Sequence, residues 1–241
     1  MDVVVLTDYE IQALLLSLKV SSTAVLFLLP VGIFFSWLLV KKEFYGKRLL
    51  DSLIHLPLVL PPVVIGYLLL ITMGKQGVVG QWLYSVFGLV FSFNWKGAAL
   101  ASAIVALPLM VRSIRLSLMN VDPKLEQAAR TLGAAPMKVF FTITLPLVLP
   151  GIITGAMLSF ARSLGEFGAT ISFVANIPNQ TQTLPLAMYN FIQAPGAEFQ
   201  AARLCIISVI IALLSLLCSE WLTKKSQTKL GLSNTTGGSG V

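Results

Sequence analysis

The chain has 241 residues, of which 56% are hydrophobic and only 11% charged, with a mean hydropathy of +0.85. Soluble domains carry about 25% charged residues, so this composition excludes a soluble globular domain and describes a polytopic membrane protein. The net charge of +7 is no nucleic-acid footprint, because it gathers at the ends of apolar runs and is not interleaved with aromatics.

A helix needs about 20 apolar residues to cross a bilayer. The first candidate span covers 12–40, behind an acidic start (Asp2, Asp8, Glu10). It exceeds the apolar core of a signal peptide, so it reads as a retained span, not a cleaved leader. Lys19 inside it is expected to reach toward the outer surface on its methylene stem. The second candidate, 52–73, contains HLPLVLPPVVIGY, with Pro57, Pro61 and Pro62. Proline removes N–H donors and kinks a helix, and carbonyls freed in a membrane survive only where protein or a water-filled cavity covers them. Span 2 is therefore expected to be kinked, either lining a pathway or bent for packing. His55 at its inner end lacks a second metal ligand nearby and reads as an interfacial hydrogen-bonder. The segment 78–93, VVGQWLYSVFGLVFSF, competes as a sixth span. Its short length and its glycines favour an interfacial or partly inserted helix.

The third candidate covers 97–119. After it, LEQAARTLGAAPMKVFFTITLP at 125–146 reads as a short amphipathic helix, a glycine stop and a proline-marked entry to the next apolar helix. Asp122 is placed to cap and Pro123 to fill the first helical position. Leu125, Ala128, Ala129 and Leu132 follow helical spacing and form one apolar stripe, whose alanines admit close approach by another backbone. Glu126 and Arg130 are spaced to pair, and Gly133 is placed to stop the helix.

The fourth candidate, 147–174, carries an ionisable pair, Arg162 and Glu166, within SFARSLGEFGATISF. Polar groups in spans are costly and usually functional. Arg162 is expected either to face a central cavity and favour an anion, with Glu166 tuning it, or to form a self-satisfied structural pair with Glu166. Ser159, Ser163, Gly165, Gly168 and Thr170 surround the pair and permit close helix packing. The fifth candidate, 201–222, holds Cys205 and Cys218, which are too far apart on one helix to bridge and lack the clustering of a metal site. Residues 223–241 read as a polar, disordered tail that ends in GLSNTTGGSGV.

Twelve of the 17 Lys and Arg fall in three clusters. They are Lys41, Lys42, Lys47 and Arg48, then Arg112, Arg115, Lys124, Arg130 and Lys138, then Lys224, Lys225 and Lys229. Placing all three inside satisfies the positive-inside bias with five spans, the N-terminus outside and the C-terminus inside. The outer loops then carry only Lys75, Lys96 and Glu198. No phosphate-binding G-x-x-x-x-G-K-[ST] loop, hydrolytic triad or H-E-x-x-H motif occurs, so the chain shows no means of its own to hydrolyse ATP.

The 125–146 run resembles the signature of type I ABC-importer permeases: E-A-A, three residues, G, nine residues, then I-x-L-P. Ala128, Ala129, Gly133, Ile143, Leu145 and Pro146 hold those positions. Gln127 fills the Glu position, with Glu126 one residue earlier, which leaves open which side chain makes the usual polar contact. ARSLGEFGATISFVANIPNQTQTLPLAMY is similar to the oxyanion permeases for molybdate, tungstate and sulfate. LPLVLPPVVIGYLLL and AARTLGA resemble the molybdate permease subunit most closely, and the likeness covers 10–222. It implies an all-α transmembrane bundle of the type I importer fold in a bacterial inner membrane. It also implies a homodimer, two cytoplasmic ABC ATPase subunits and a periplasmic oxyanion-binding protein, with no cofactor and no nucleic acid. The coupling segment would be 120–146, docking through Leu125, Glu126, Gln127, Ala128, Ala129, Gly133, Ile143 and Pro146. The pathway would involve Arg162, Ser163, Gly165, Glu166, Pro61 and Pro62. The alternatives are a sulfate or tungstate permease of the same class, an ATP-independent secondary transporter, and a passive scaffold, which would have no use for a docking helix.

Overall fold

A computed structural model describes residues 6–229, though not the side chains of Gln227 and Lys229. Residues 230–241, most of the expected tail, lie outside the described residues. Among those described there are helices and no strands, and four helices are long and apolar enough to cross a bilayer.

Helix α1 runs Asp8–Lys41, longer at both ends than the expected 12–40. Its start is set by a capping box: the Glu10 amide donates to Thr7 Oγ1, and Glu10 Oε2 accepts from the Thr7 amide at 2.8 Å. Thirty-four residues make about 51 Å of helix against a hydrocarbon core of about 30 Å, so α1 projects well beyond the apolar layer.

The second span is not one kinked helix. It is α2 (Lys47–His55), a 3₁₀ turn at 56–58, and α3 (Pro62–Met73), with the two parts bent by 113°. Pro61 and Pro62 both lack N–H donors, and Leu60, preceding a proline, is steered out of the α region. Pro62 then suits the first position of α3. Helix α4 (Val78–Phe87) has ten residues, about 15 Å. That is too short to cross, as its glycines suggested.

Helix α5 (Trp95–Met119), capped by Asn94, matches the third expectation and is the centre of the bundle. Ala98, Ala101, Ala106, Met110, Val111 and Ile114 on it are fully buried, against α1, α8 and α9. Small residues and hydroxyls bring the helices close. Ser36 Oγ donates to Val111 O at 3.0 Å and Ser113 Oγ to Gly151 O at 2.9 Å.

Helix α6 (Pro123–Thr131) follows, then α7 (Pro136–Val139), a π turn at Phe140–Thr144, and α8 (Leu145–Leu164). The fourth span thus enters at Pro136 rather than 147. In the π turn the Leu145 amide reaches back five residues to Phe140 O, one residue before Pro146, which has no N–H to continue the ladder. The span also ends early. At Gly165 the helix closes on Ala161 O, Phe167 leaves helical geometry with φ −125° and ψ −53°, and α9 (Gly168–Val174) begins a new segment. The expected 147–174 span is two helices. Helices α10 (Leu184–Gln193) and α11 (Glu198–Lys229) complete the fold. Residues 223–229, expected in the tail, belong to α11 because its polar end continues the helix. Cys205 and Cys218 are both exposed on it and unbridged.

Candidate functional site: a docking helix and a pair of helix breaks

Asp122 Oδ1 accepts the Lys124 amide at 2.9 Å, and Pro123 starts α6. At the other end Gly133 has φ +84°. The Gly133 amide donates to Arg130 O at 3.0 Å and the Ala134 amide to Ala129 O at 3.1 Å, the two bonds of a Schellman cap. A side chain at Gly133 would be strained whatever the space around it.

No residue of α6 is buried. Leu125 is 48% exposed and Leu132 is 89% exposed. Gln127 and Ala128 are exposed too, and Ala129 is half-buried. The apolar stripe therefore faces away from this chain. What ties α6 to the bundle is Glu126. Its Oε2 lies 2.9 Å from Lys41 Nζ at the end of α1, and its Oε1 accepts from Thr144 Oγ1 at 2.7 Å in the π turn. The expected Glu126–Arg130 pairing is replaced by this longer-range bridge, with Arg130 contributing only a favourable field. Burial alone would raise the Glu126 carboxyl. The Thr144 and Lys41 bonds and the two cations outweigh that and hold it below its ordinary value. Of the two candidates for the polar position, Glu126 carries the intramolecular contact and Gln127 is left at the surface. Ile143 and Pro146, both half-buried, flank Thr144.

Arg162 and Glu166 are brought together across a helix end, not within one continuous helix. Arg162 Nη1 lies 2.7 Å from Glu166 Oε2, with the arginine side chain 32% exposed and the glutamate 1%. Glu166 Oε1 accepts the Ala169 amide at 2.8 Å, so the same carboxylate caps α9. Ser159 Oγ reaches Ala106 O at 3.4 Å, next to the centre of α5. Arg162 is three residues further on, about 4.5 Å along the axis. Ser163 is buried with its hydroxyl unpartnered, and Gly165 is exposed.

The break at 165–167 packs on the break in the second span. A Cβ on Gly168 would sit 2.9 Å from Pro62 Cβ, and one on Gly66 would meet Ala169 O at 2.5 Å. Exposed Pro61 stands at the same junction. The two interrupted spans thus meet at their interruptions, and α3 and α9 run on side by side. Pro57, Pro61 and Pro62 mark the first of these breaks in the sequence. Its counterpart is made by Gly165 and a carboxylate cap, which leave no proline mark.

Among the described residues, three long-range ion pairs had no place in the sequence reading. Arg203 on α11 holds Glu10, which is fully buried, through Nε–Oε1 at 2.9 Å and Nη2–Oε2. Arg115 Nη1 meets both Asp51 oxygens at 2.9–3.0 Å, tying α2 to α5, with His55 Nδ1 at 2.8 Å from Asp51 O. Lys41–Glu126 is the third. The available signal was one isolated charge of each sign in an apolar run, as at Glu10 and Arg203.

The described residues thus form a helical membrane bundle with an exposed, capped helix between two spans and a pair of broken spans. The family described as binding-protein-dependent transport system inner membrane component matches residues 28–228, and the chain belongs to it. It is 66% identical over 227 residues to the molybdenum transport system permease protein ModB of Escherichia coli (strain K12), covering 94% of this chain and 99% of that protein. It is 64% identical over 225 residues to the Haemophilus influenzae protein of the same name, covering 93% and 98%. The fold is shared with the crystal structure of a bacterial ABC transporter involved in alginate import, at TM-score 0.72 and 17% identity over 91% of this chain and 80% of that one.

Proposed function

We propose that this chain forms the transmembrane route for molybdate in an ATP-driven importer, as a homodimer served by two cytoplasmic ATPase subunits and an external anion-binding protein. The molybdenum-transport relatives span nearly the whole chain. The observation that carries the mechanical part is α6: its Leu125–Ala129–Leu132 stripe faces outward while Glu126 ties it to α1 and to the π turn. Movement of a docked ATPase is passed through this bridge to α1 and α8. At the far end of α8 lies the Arg162–Glu166 junction with Pro61 and Pro62. Arg162 offers a dianion a planar two-bond donor in a low-dielectric site, and Glu166 holds it between cycles. The N-terminus faces out, and 41–51, 112–146 and the end of α11 face in.

The test is assembly and uptake with two variants. Gly133→Leu forces a side chain into the left-handed stop, and Ala129→Trp blocks close approach. Both should insert in the membrane yet lose ATPase co-purification and labelled-molybdate uptake. Normal assembly in either refutes the docking role. Competition of molybdate uptake by tungstate and by sulfate ranks the three tetrahedral dianions.

A further inference from the structure

Along the C-terminal end of α1 the surface opens into a groove of about 590 Å³. One wall is α1, with Pro30, Phe34 and Trp37; the other is α7 and the π turn, with Met137, Phe140 and Phe141. Phe34, Phe141 and Met137 are each more than half exposed, so the walls are apolar and no side chain of the described residues fills the space between them. The groove closes on a charged end formed by Lys41, Lys42, Glu126 and Arg130. Lys41 is matched by Glu126 at 2.9 Å. Lys42 and Arg130 are exposed, and among the described residues neither forms a salt bridge. Three cations against one carboxylate leave this end with a net positive charge.

The depth of the groove in the bilayer is marked by pairs of tryptophan and lysine. Lys42 Nζ lies 5.7 Å from the centroid of the Trp37 ring, and Lys225 Nζ lies 4.7 Å from that of Trp221 toward the end of α11. Tryptophan beside lysine at the end of a span marks the headgroup level. A third pair, Lys19 with Trp95, marks the opposite level. Lys19 precedes Trp37 on α1 by 18 residues, about 27 Å, against a hydrocarbon core of about 30 Å. From Pro30 to Lys41 the helix covers about 16 Å. The groove therefore runs through one leaflet and ends at its headgroups.

An apolar slot one leaflet deep, with uncompensated cations at headgroup level, matches one phospholipid in length and in charge. We propose that the groove seats an anionic phospholipid of the leaflet next to α6, with an acyl chain between α1 and the π turn and the phosphodiester between Lys42 and Arg130. Basic pockets between spans select anionic headgroups. A zwitterionic headgroup would bring its own cation against these two at close range. The bound headgroup lies beside the Lys41–Glu126 bridge and braces it. What that bracing does for transport rests on the docking role proposed for α6; the binding itself does not.

The test uses the full-length chain purified in dodecyl maltoside. Native mass spectrometry measures the affinity of the first bound lipid, with phosphatidylglycerol and phosphatidylethanolamine of the same acyl chains as probes. The parent should prefer phosphatidylglycerol at least fivefold. Lys42→Gln combined with Arg130→Gln should abolish that preference, whereas Arg130→Lys, which keeps the charge, should retain it. Met137→Trp fills the groove without changing charge and should weaken phosphatidylglycerol at least fivefold. Lys224→Gln combined with Lys225→Gln removes two cations at the same membrane level but outside the groove, and should keep phosphatidylglycerol within twofold. The proposal is overturned if the parent's preference is below fivefold, or if either groove variant binds phosphatidylglycerol as the parent does. It is also overturned if the Lys224 and Lys225 variant loses as much as the groove variant, since the charge then acts diffusely. In whole membranes, p-benzoylphenylalanine in place of Phe141 identifies the occupant: a phospholipid adduct supports the site, and a cross-linked second copy of the chain overturns it. None of these measurements uses ATP or molybdate, so they stand or fall apart from the transport role.

Discussion

The Arg162–Glu166 pair is unequal, and the inequality is testable. Glu166 is almost fully buried and Arg162 is one-third exposed, 2.7 Å apart. At that separation two charges in an effective dielectric near 20 attract by about 6 kcal/mol, before the exposure of the guanidinium weakens it. Arg162→Met strands a buried carboxylate with only the Ala169 amide for company, a loss of about 3 kcal/mol or more. Glu166→Gln is milder. The amide oxygen still caps α9, and Arg162 can turn toward water, so the cost is about 1 kcal/mol. The difference of about 2 kcal/mol corresponds to a thermal midpoint on the order of 5 °C lower for Arg162→Met than for Glu166→Gln. The assay is thermal unfolding of each variant in detergent, paired with molybdate uptake in vesicles. The pathway role adds a second requirement. Arg162→Gln should abolish uptake in a transporter that still assembles and hydrolyses ATP, whereas Glu166→Gln should loosen the coupling of hydrolysis to uptake. If Glu166→Gln is as destabilising as Arg162→Met, the burial argument is wrong. If Arg162→Met with Glu166→Met imports molybdate at the parental rate, neither residue belongs to the mechanism.

Gly66→Val places a Cβ 2.5 Å from Ala169 O and 2.7 Å from Ser172 Cβ; it should cost about 1–3 kcal/mol and depress uptake, and parental stability would show that α3 and α9 do not pack here. The Glu126 carboxyl is held below its unfolded value, so its contribution is complete above that value and is lost as pH falls through the folded one. The thermal midpoint gap between the parent and Glu126→Gln should therefore be flat from neutral pH to about 5 and shrink as pH falls below about 4; a gap that never shrinks in acid removes the carboxylate from the explanation. Single cysteines, in a background lacking Cys205 and Cys218, should label from outside near Asp8 and Gln180 and not near Lys47 or Lys225. Outside labelling at Lys47 would invert the topology.

Composition and period were enough for the spans that behave simply. α5 is a continuous apolar run between an Asn cap and a polar loop, and its bounds were legible within two residues. α6 was legible because caps act locally: Asp122, Pro123 and Gly133 each work through their own backbone. The second span was half legible. Three prolines announced a distortion, but the size of the bend depends on α3 finding α9 to pack against. The end of the fourth span was not legible, since Gly165 is unremarkable among the glycines of a membrane helix. What stops the chain is Glu166 turning its carboxylate onto the Ala169 amide, a choice that depends on Arg162 neutralising it. The bridges Lys41–Glu126, Asp51–Arg115 and Glu10–Arg203 span 85, 64 and 193 residues. Local spacing offered Glu126 a nearer partner in Arg130, and tertiary geometry chose another.

These bridges share a logic that bears on transport. Lipid tails give helices no hydrophobic reason to associate, so relative positions in the bundle are fixed by close backbone packing and by a few polar bonds. Close packing is concentrated along α5, where alanine and serine line the contacts with α1 and α8. Most of the ion pairs lie elsewhere: at the N-terminal end of α1 with α11, at its C-terminal end with α6, and at the break after α8, with Arg115–Asp51 tying α5 itself to α2. A rigid centre with charge-based ties at its periphery can shift those ties without repacking its core. The exposed helix α6, held mainly by one carboxylate, is suited to receive such a displacement. Paired helix breaks, one capped by the Glu166 carboxylate and the other opened by prolines that have no N–H to satisfy, are where the bundle can yield to it.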